Sequence, residues 1–558
     1  MKGAKIVVES LVKEGVDTVF AYTGGAVIPL FHELHEYQEQ IRIITPRHEQ
    51  GGTHAADGYA RSTGKPGVVI VTSGPGATNT ITGIATAYMD SVPLVVITGQ
   101  VPLGKIGTDA FQEADIVGIT MPITKANFLV RDADEIALTL KKAFYLATTG
   151  RPGPVVVDIP GDIQKEEAPF DYPESIDFQG YKPNMSGHPK QIKTLIKMLK
   201  GVKRPLILSG GGVNLSGTTE LVNRFADEKG VPVVCTLMGH GAYPSREELF
   251  IGPIGMHGSM YGNYAIENAD LIIALGVRFS DRITGDGISF APKAKIVHVD
   301  IDPAEIGKNV RVDLPIVGSI KSVMDDLNRT EIEMDTSQWI REVGDYKVQH
   351  PLDDGYSEGA ATIAPQHLVR LAGEIFPENT IVASDVGQNQ MWTAQFFGFK
   401  RGRTFLTSGG LGTMGFGLPA AMGAAVGNPE RPVLMIAGDG GFQMNLQELA
   451  TIRRYGLKVK MLVLDNSYLG MVRQWQQLFF EERYSGTPMD DNPDFAALAE
   501  VMGIPGRTVR NPGDVEAALK ELAAHDGAML LHAHVEGKAN VLPMIPAGKP
   551  YDQIVDRI

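Results

Sequence analysis

The sequence predicts an α/β protein made of three doubly wound parallel-sheet domains, and three observations carry that reading. Short runs that are apolar at every position alternate with amphipathic stretches along the whole chain; a strand without a polar face is buried on both sides, as in a parallel sheet covered by helices. Glycine is in excess, 64 of 558 residues, as expected where backbone must turn sharply or come close to a ligand. At roughly 150 residues per domain, the length calls for three or four cores rather than one.

The first domain is read over residues 1–170, with strands at Asp17–Ala21, Arg42–Thr45, Gly67–Thr72, Pro93–Thr98 and Gly153–Asp158. Glu166–Pro189 is rich in Pro, Gly and polar residues without a sustained period and reads as a linker. A second domain spans 190–335, with strands at Arg204–Ser209, Val231–Cys235, Asp270–Leu275 and Ala294–Val299. After a polar stretch the pattern resumes at 360–536, with strands at Asn379–Ser384, Pro432–Ala437 and Lys458–Leu464, and a tail covers 537–558. The first and third segments share length and strand rhythm, which suggests two related domains around a different middle one.

Composition removes several classes of function. Acidic residues exceed basic ones, 65 against 51 for a net charge of -14, so a surface built to hold nucleic acid is not expected. The one cysteine, Cys235, sits in an apolar run, leaving no disulfide framework and no cysteine metal cluster. The N-terminus lacks a signal-type apolar core and no run approaches a membrane span, so a cytoplasmic protein with no membrane partner is expected.

The sharpest local feature is Ile436-Ala-Gly-Asp-Gly-Gly-Phe442 followed by Leu464-Asp-Asn-Ser-Tyr468, each starting at the end of an expected strand. Ligands of open parallel sheets gather at those ends. Between Gly440 and Asn466 lie 25 residues, room for one helix and one strand, so a right-handed crossover sets Asp439 beside Asn466. A carboxylate, an amide oxygen and the Tyr468 carbonyl are the oxygen ligands Mg²⁺ prefers, with other positions left for diphosphate and water. Gly438, Gly440 and Gly441 let phosphate oxygens approach backbone N–H groups. The competing reading is a bare Gly-Asp-Gly turn with an unrelated asparagine, and the coupled spacing argues against it.

Here the sequence resembles the thiamine diphosphate-dependent enzymes, whose diphosphate and Mg²⁺ motif has this form. The resemblance calls for a first-domain glutamate against the aminopyrimidine ring, and Pro46-Arg-His-Glu-Gln-Gly51 offers Glu49. A carboxyl group in a largely apolar cleft can share a proton with the ring and so help remove the thiazolium C2 proton. More residues narrow the likeness to acetohydroxyacid synthase (acetolactate synthase) catalytic large subunits. Gly24-Gly-Ala26, His54–Arg61, Thr72–Asn79, Gly107–Glu113, Gly409–Pro419 and Gly470–Gln476 support it across nearly the whole chain.

That resemblance implies roles position by position. Val386, Gly387, Gln388, Gly412, Met414, Leu469, Gly470 and Met471 are expected around thiamine diphosphate, with Met414 as the wedge between its rings. Gly25, Gln100, Phe111 and Gln112 are expected on the opposite wall. Arg282 matches the arginine that meets the carboxylate of the second 2-keto acid, which a guanidinium suits. Met471 and Trp475 match positions that make room for an acceptor longer than pyruvate, an extra methylene being worth roughly 1 to 3 kcal/mol. Arg151, Gly210, Gly211, Gly212, Thr236, Leu237, Met256, His257, Gly276, Val277, Arg278, Asp300 and Ile301 resemble FAD contacts, although no clean dinucleotide fingerprint is present.

The resemblance also implies the reaction, in which pyruvate loses CO₂ and its two-carbon unit joins a second pyruvate or 2-oxobutanoate in branched-chain amino acid biosynthesis. Another carboligase, decarboxylase or oxidase of the superfamily is the alternative. A homodimer or homotetramer is expected, with a possible regulatory small subunit. Three positions depart from the family pattern: Gly161 for a common lysine, Asn389 for histidine and Thr23 for proline.

Overall fold

A computed structural model describes residues 1–556. Three six-stranded sheets, parallel throughout, hold the architecture. The first contains β1 (Thr18–Tyr22), β2 (Arg42–Ile44), β3 (Gly67–Val71), β4 (Leu94–Gln100), β5 (Ala126–Leu129) and β6 (Val155–Pro160), in the order β2-β1-β3-β4-β6-β5. The second contains β7 (Pro205–Ser209), β8 (Val233–Cys235), β9 (Phe250–Pro253), β10 (Leu271–Leu275), β11 (Lys295–Asp300) and β12 (Leu314–Val317), in the order β12-β11-β10-β7-β8-β9. The third contains β13 (Ile381–Ser384), β14 (Phe405–Leu406), β15 (Val433–Gly438), β16 (Val459–Asp465), β17 (Gly506–Val509) and β18 (Met529–His534), in the order β14-β13-β15-β16-β18-β17.

Renumbered from their own first strands, the outer sheets run in one identical order, and the middle sheet runs in the order of a dinucleotide-binding fold. The chain is thus a related pair of domains around a different one. Strands β5, β9, β12, β14, β17 and β18 have no counterpart in the sequence reading. The first five are sheet edges, where a strand lacks a neighbour and its apolar run is short. β18 is internal, but His532 and His534 break its apolar pattern.

The outer domains share a core. Helix Glu49–Thr63 lies on helix Gly417–Gly427 with the backbones in direct contact: a Cβ on Gly58 would stand 2.2 Å from the Ala420 carbonyl oxygen, and one on Gly423 would stand 1.8 Å from that of Ala55. Phe20, Ile44 and Val69 of the first domain and Phe416, Met435 and Phe442 of the third belong to one continuous apolar cluster. Buried Arg61 adds a polar tie, bonding Asp57 and Asp90 and donating to the Thr407 carbonyl at 3.0 Å.

Beyond β18 the tail crosses to the middle domain. The Ile545 N–H donates to the Met256 carbonyl, Tyr551 donates to the Ile283 carbonyl, and both side chains are buried in the middle-domain core. The described residues of the tail are thus docked on the middle domain. Among the described residues, no helix is long and apolar enough to cross a membrane.

Candidate functional site

The outer sheets reverse strand order between β1 and β3 and between β13 and β15, and a doubly wound sheet opens a crevice at such a reversal. In the third domain the crevice is flanked by Asp385, Val386 and Gly387 after β13 and by Asp439 after β15. Gly438 is in register with Leu464, so Asp439 and Asn466 leave adjacent strand ends, as the motif spacing requires.

Asp385 organises this crevice. Its carboxylate accepts from the N–H groups of Val386 (2.8 Å), Gly415 (3.0 Å) and Gly417 (2.8 Å), fixing three loops at once. Burial raises its carboxyl to about 6, against the pull of those three donors. Asp439 is also buried, and its carboxyl is held above the ordinary range by burial first and by neighbouring Asp465 second. Asn492 donates to Asp439 at 2.7 Å and to Asp465 at 3.1 Å, while His532 lies 2.9 Å from Asp465. Asp439 therefore has an amide donor but no cationic side chain against it, which suits a carboxylate meant for a divalent cation.

Asn466 is held on both ends of its amide. Its Oδ1 accepts from the Tyr468 N–H at 3.1 Å and its Nδ2 donates to Gln388 Oε1 at 3.2 Å. Gln388 in turn donates to Gln474 and to the Ala539 carbonyl, each at 2.9 Å. A Cβ on Gly470 would stand 2.1 Å from Gln388 Oε1 and 2.7 Å from Asn466 Nδ2, so only glycine lets this pair form. Gly440 lies close to Leu469 and Met414.

A cavity of about 1320 Å³ opens beside these loops. Val386, Gly387, Gly412, Met414, Met471, Trp475 and Arg282 line it together with Arg151, Gly211, Gly212, Thr236, Leu237, Met256, His257, Gly276, Val277, Arg278, Asp300 and Ile301. Gly210 stands outside that lining, its N–H bonded to the Leu275 carbonyl. His240 Nε2 and His257 Nδ1 are buried beside the cavity without protein partners, Asp90 Oδ1 has only the Arg278 guanidinium at 3.7 Å, and Arg403 lines it while donating only to carbonyls. Unspent donors and acceptors around a space this large fit a polar ligand of dinucleotide size. Arg151 is already committed to Glu305 at 2.6 Å and Asp302 at 3.2 Å.

The first-domain residues gather elsewhere. Glu49 opens helix Glu49–Thr63 and accepts from Asn79 Nδ2 at 2.9 Å. Around the β1/β3 reversal, Gly24 and Gly76 close on Thr72, the Gly76 Cβ position lies 3.5 Å from Glu49 Oε1, and Gly74 closes on Gln112. Gly25 faces open space. Phe111 is 88% exposed, so it is not a core side chain. Gln100 is buried, donating to Asp158 at 3.0 Å and to the Ala114 carbonyl at 2.9 Å; burial raises the Asp158 carboxyl to about 7. None of these lines the cavity, so one chain carries two groups of site residues at two separate switch points.

The departures fall in readable places. A Cβ on Gly161 would meet nothing nearer than the Gln100 carbonyl oxygen at 3.7 Å, so the fold does not demand glycine there. Asn389 is buried and donates to the Asp385 carbonyl at 2.9 Å, with its oxygen towards Gly387 and Gly438. Thr23 is exposed beside Gly24. Sequence reasoning missed Asp385, Asn492 and Glu448. Each has at least one partner 30 or more residues away, and none carries a motif.

Comparison with known proteins agrees with this layout. Family models described as the N-terminal TPP binding domain, the central domain and the C-terminal TPP binding domain of thiamine pyrophosphate enzymes match residues 1–119, 192–327 and 385–533. A probable acetolactate synthase large subunit of Methanocaldococcus jannaschii is 47% identical, over 100% of this chain and 96% of its own. The acetolactate synthase large subunit of Haemophilus influenzae is 44% identical, over 100% and 98%. The chloroplastic acetolactate synthase of Arabidopsis thaliana is 45% identical, over 99% and 84%. The chain belongs to the thiamine pyrophosphate enzymes and, within them, to the acetolactate synthase large-subunit family.

Proposed function

We propose that the protein is the catalytic subunit of an acetohydroxyacid synthase, a transferase that decarboxylates pyruvate and joins the two-carbon remainder to a second 2-keto acid. With pyruvate as acceptor the product is 2-acetolactate; with 2-oxobutanoate it is 2-aceto-2-hydroxybutanoate. The observation that carries this reading is the common cavity in which Arg282, Met471 and Trp475 share a lining with Val386, Gly387 and Met414. This shared lining supports an acceptor site next to Met414.

When bound, thiamine diphosphate supplies the electron sink for decarboxylation and carbon–carbon bond formation. Asp439, Asn466 and the Tyr468 carbonyl would hold Mg²⁺, and the loops at Val386–Gln388 and Gly438–Gly441 would receive the diphosphate. Glu49 would lie on the aminopyrimidine side, where its carboxyl could hold or give up a proton. Arg282, more than half exposed, pairs within the protein only with the exposed neighbour Asp281 at 3.4 Å, a weak surface pair that an acceptor carboxylate would displace. Trp475 offers apolar surface to the acceptor chain. The middle sheet and its polar cavity fit FAD, held as a structural group, with Arg278 and Asp300 towards it.

We assign residues 1–170 to the pyrimidine side, 190–335 to the flavin and 360–536 to the diphosphate side. Because the two groups of site residues lie apart in one chain, a homodimer or homotetramer completes each site, the Glu49 group of one subunit facing the diphosphate loops of another. A regulatory small subunit is a further partner.

The test is to load the purified protein with thiamine diphosphate, Mg²⁺ and FAD, supply pyruvate with and without 2-oxobutanoate, and quantify both acetohydroxyacids and CO₂. Both products are expected, and Trp475→Leu is expected to lower preference for 2-oxobutanoate by roughly tenfold. Release of CO₂, aldehyde or peroxide without either acetohydroxyacid would overturn the synthase reading.

A further inference from the structure

The segment that carries Asp439 also reaches the other group of site residues. Nine positions after Asp439, Glu448 ends a short helical turn, fully buried. Its carboxylate points out of the third domain into the first. The Arg47 N–H donates to Glu448 Oε1 at 3.0 Å and to Oε2 at 3.1 Å, and the His48 N–H donates to Oε1 at 3.1 Å. These are the two residues immediately before Glu49. Thr451 donates its hydroxyl to Oε2 at 2.7 Å, aiming the carboxylate from behind.

The loop is held at a second point by the same stretch, since the Thr45 N–H donates to the Tyr455 hydroxyl at 2.9 Å. Space is made for the glutamate as well: a Cβ on Gly51 would stand 2.5 Å from Glu448 Oε1, so Gly51 leaves the carboxylate a seat against the first turn of the Glu49 helix. No lysine or arginine side chain pairs with this carboxylate among the described ion pairs. A buried carboxylate satisfied by backbone N–H groups and one hydroxyl fixes main-chain position more than it adds net stability.

We propose that Glu448 is a positioning residue for Glu49: the third domain of each chain sets the height and direction at which that chain's Glu49 enters the pyrimidine side of a site. The proposal rests on the assignment of Glu49 to proton exchange with the cofactor. Misplacing a proton-transfer group by about 1 Å can cost two orders of magnitude in rate without changing affinity, and this separates positioning from packing.

The experiment uses the full chain loaded with thiamine diphosphate and Mg²⁺, and reads hydrogen–deuterium exchange at cofactor C2 by quenched-flow NMR. Circular dichroism of the aminopyrimidine tautomer, cofactor Kd and Tm are read in parallel. Glu448→Gln keeps the volume but puts an NH₂ where an oxygen accepted. It is expected to slow C2 exchange by at least about tenfold and weaken the tautomer signal, with Kd within about threefold of wild type. Exchange within twofold of wild type in folded, cofactor-bound Glu448→Gln would overturn the proposal. If that variant does not fold, Thr451→Val is read the same way, and unchanged exchange there overturns it equally. Glu49→Gln is the control: if it leaves exchange unchanged, the role given to Glu49 fails instead.

Discussion

At the residue scale the site depends on very close approaches. Gly470 lets Gln388 and Asn466 meet, so Gly470→Ala forces the asparagine amide off its present line. Titrating the variant with Mg²⁺ and thiamine diphosphate should show affinity weakened by about tenfold or more, while Tm moves little, since the strain falls on two side-chain amides at the ends of elements. His54 gives a pH dependence. It is buried against Phe416 with neither ring nitrogen bonded, and burial together with the charge of Arg61 lowers its pKa to about 3 from 6.5. Above pH 6.5 the folded and unfolded chains both carry it neutral; below, the unfolded chain takes a proton that the fold refuses. His54 thus costs stability progressively as pH falls from 6.5 towards 3, by about 1.36 kcal/mol per unit. Denaturant midpoints of His54→Leu between pH 7 and pH 4 should fall less steeply than wild type by about one proton. Asp439 and Asn466 were legible from sequence because strand ends place them. Asp385, Asn492 and Glu448 were not, because each acts across 30 residues or more on partners that no local pattern names.

At the scale of elements, apolar runs marked every internal strand except β18, and glycine marked the turns after them. Of the edge strands only β2 was read, since half-exposed strands such as Ala126–Leu129 carry no continuous apolar run. The identity of the outer sheet orders was visible only as a shared rhythm, because a sequence records strand succession and not strand neighbours. The helix pair Glu49–Thr63 and Gly417–Gly427 has a sharper consequence. With the Gly423 Cβ position 1.8 Å from a backbone carbonyl, Gly423→Ala cannot be absorbed by turning a side chain. It should cost about 3 kcal/mol or more, seen as lost soluble yield or a Tm drop of several degrees. Because the helix carries Glu49, cofactor-bound activity should fall further than Tm alone accounts for.

At the scale of the whole molecule, the chain shows surface that a lone subunit has no use for. Phe111, Ile119 and Met121 follow closely in sequence and are all exposed, as is Ile28; exposed apolar groups in series mark a contact surface. Sedimentation at micromolar concentration should give a dimer or tetramer, and Met121→Asp should shift it towards monomer while each chain keeps its far-ultraviolet dichroism. The proposed acceptor site also belongs to this scale, because Arg282 comes from the middle domain and Trp475 from the third.

The docked tail bears on how the protein is made. Ile545 and Tyr551 complete an apolar core that otherwise belongs to residues 206–343. During synthesis the chain emerges N-terminus first, so the middle domain must wait, with part of its core exposed, until the third sheet and the segment beyond it have left the ribosome. One face of the first sheet waits as well, since the core on that side is shared with Phe416, Met435 and Phe442. Each of the first two sheets thus has one face covered by its own residues, while the other face reaches its final packing only after the third sheet and the tail have followed.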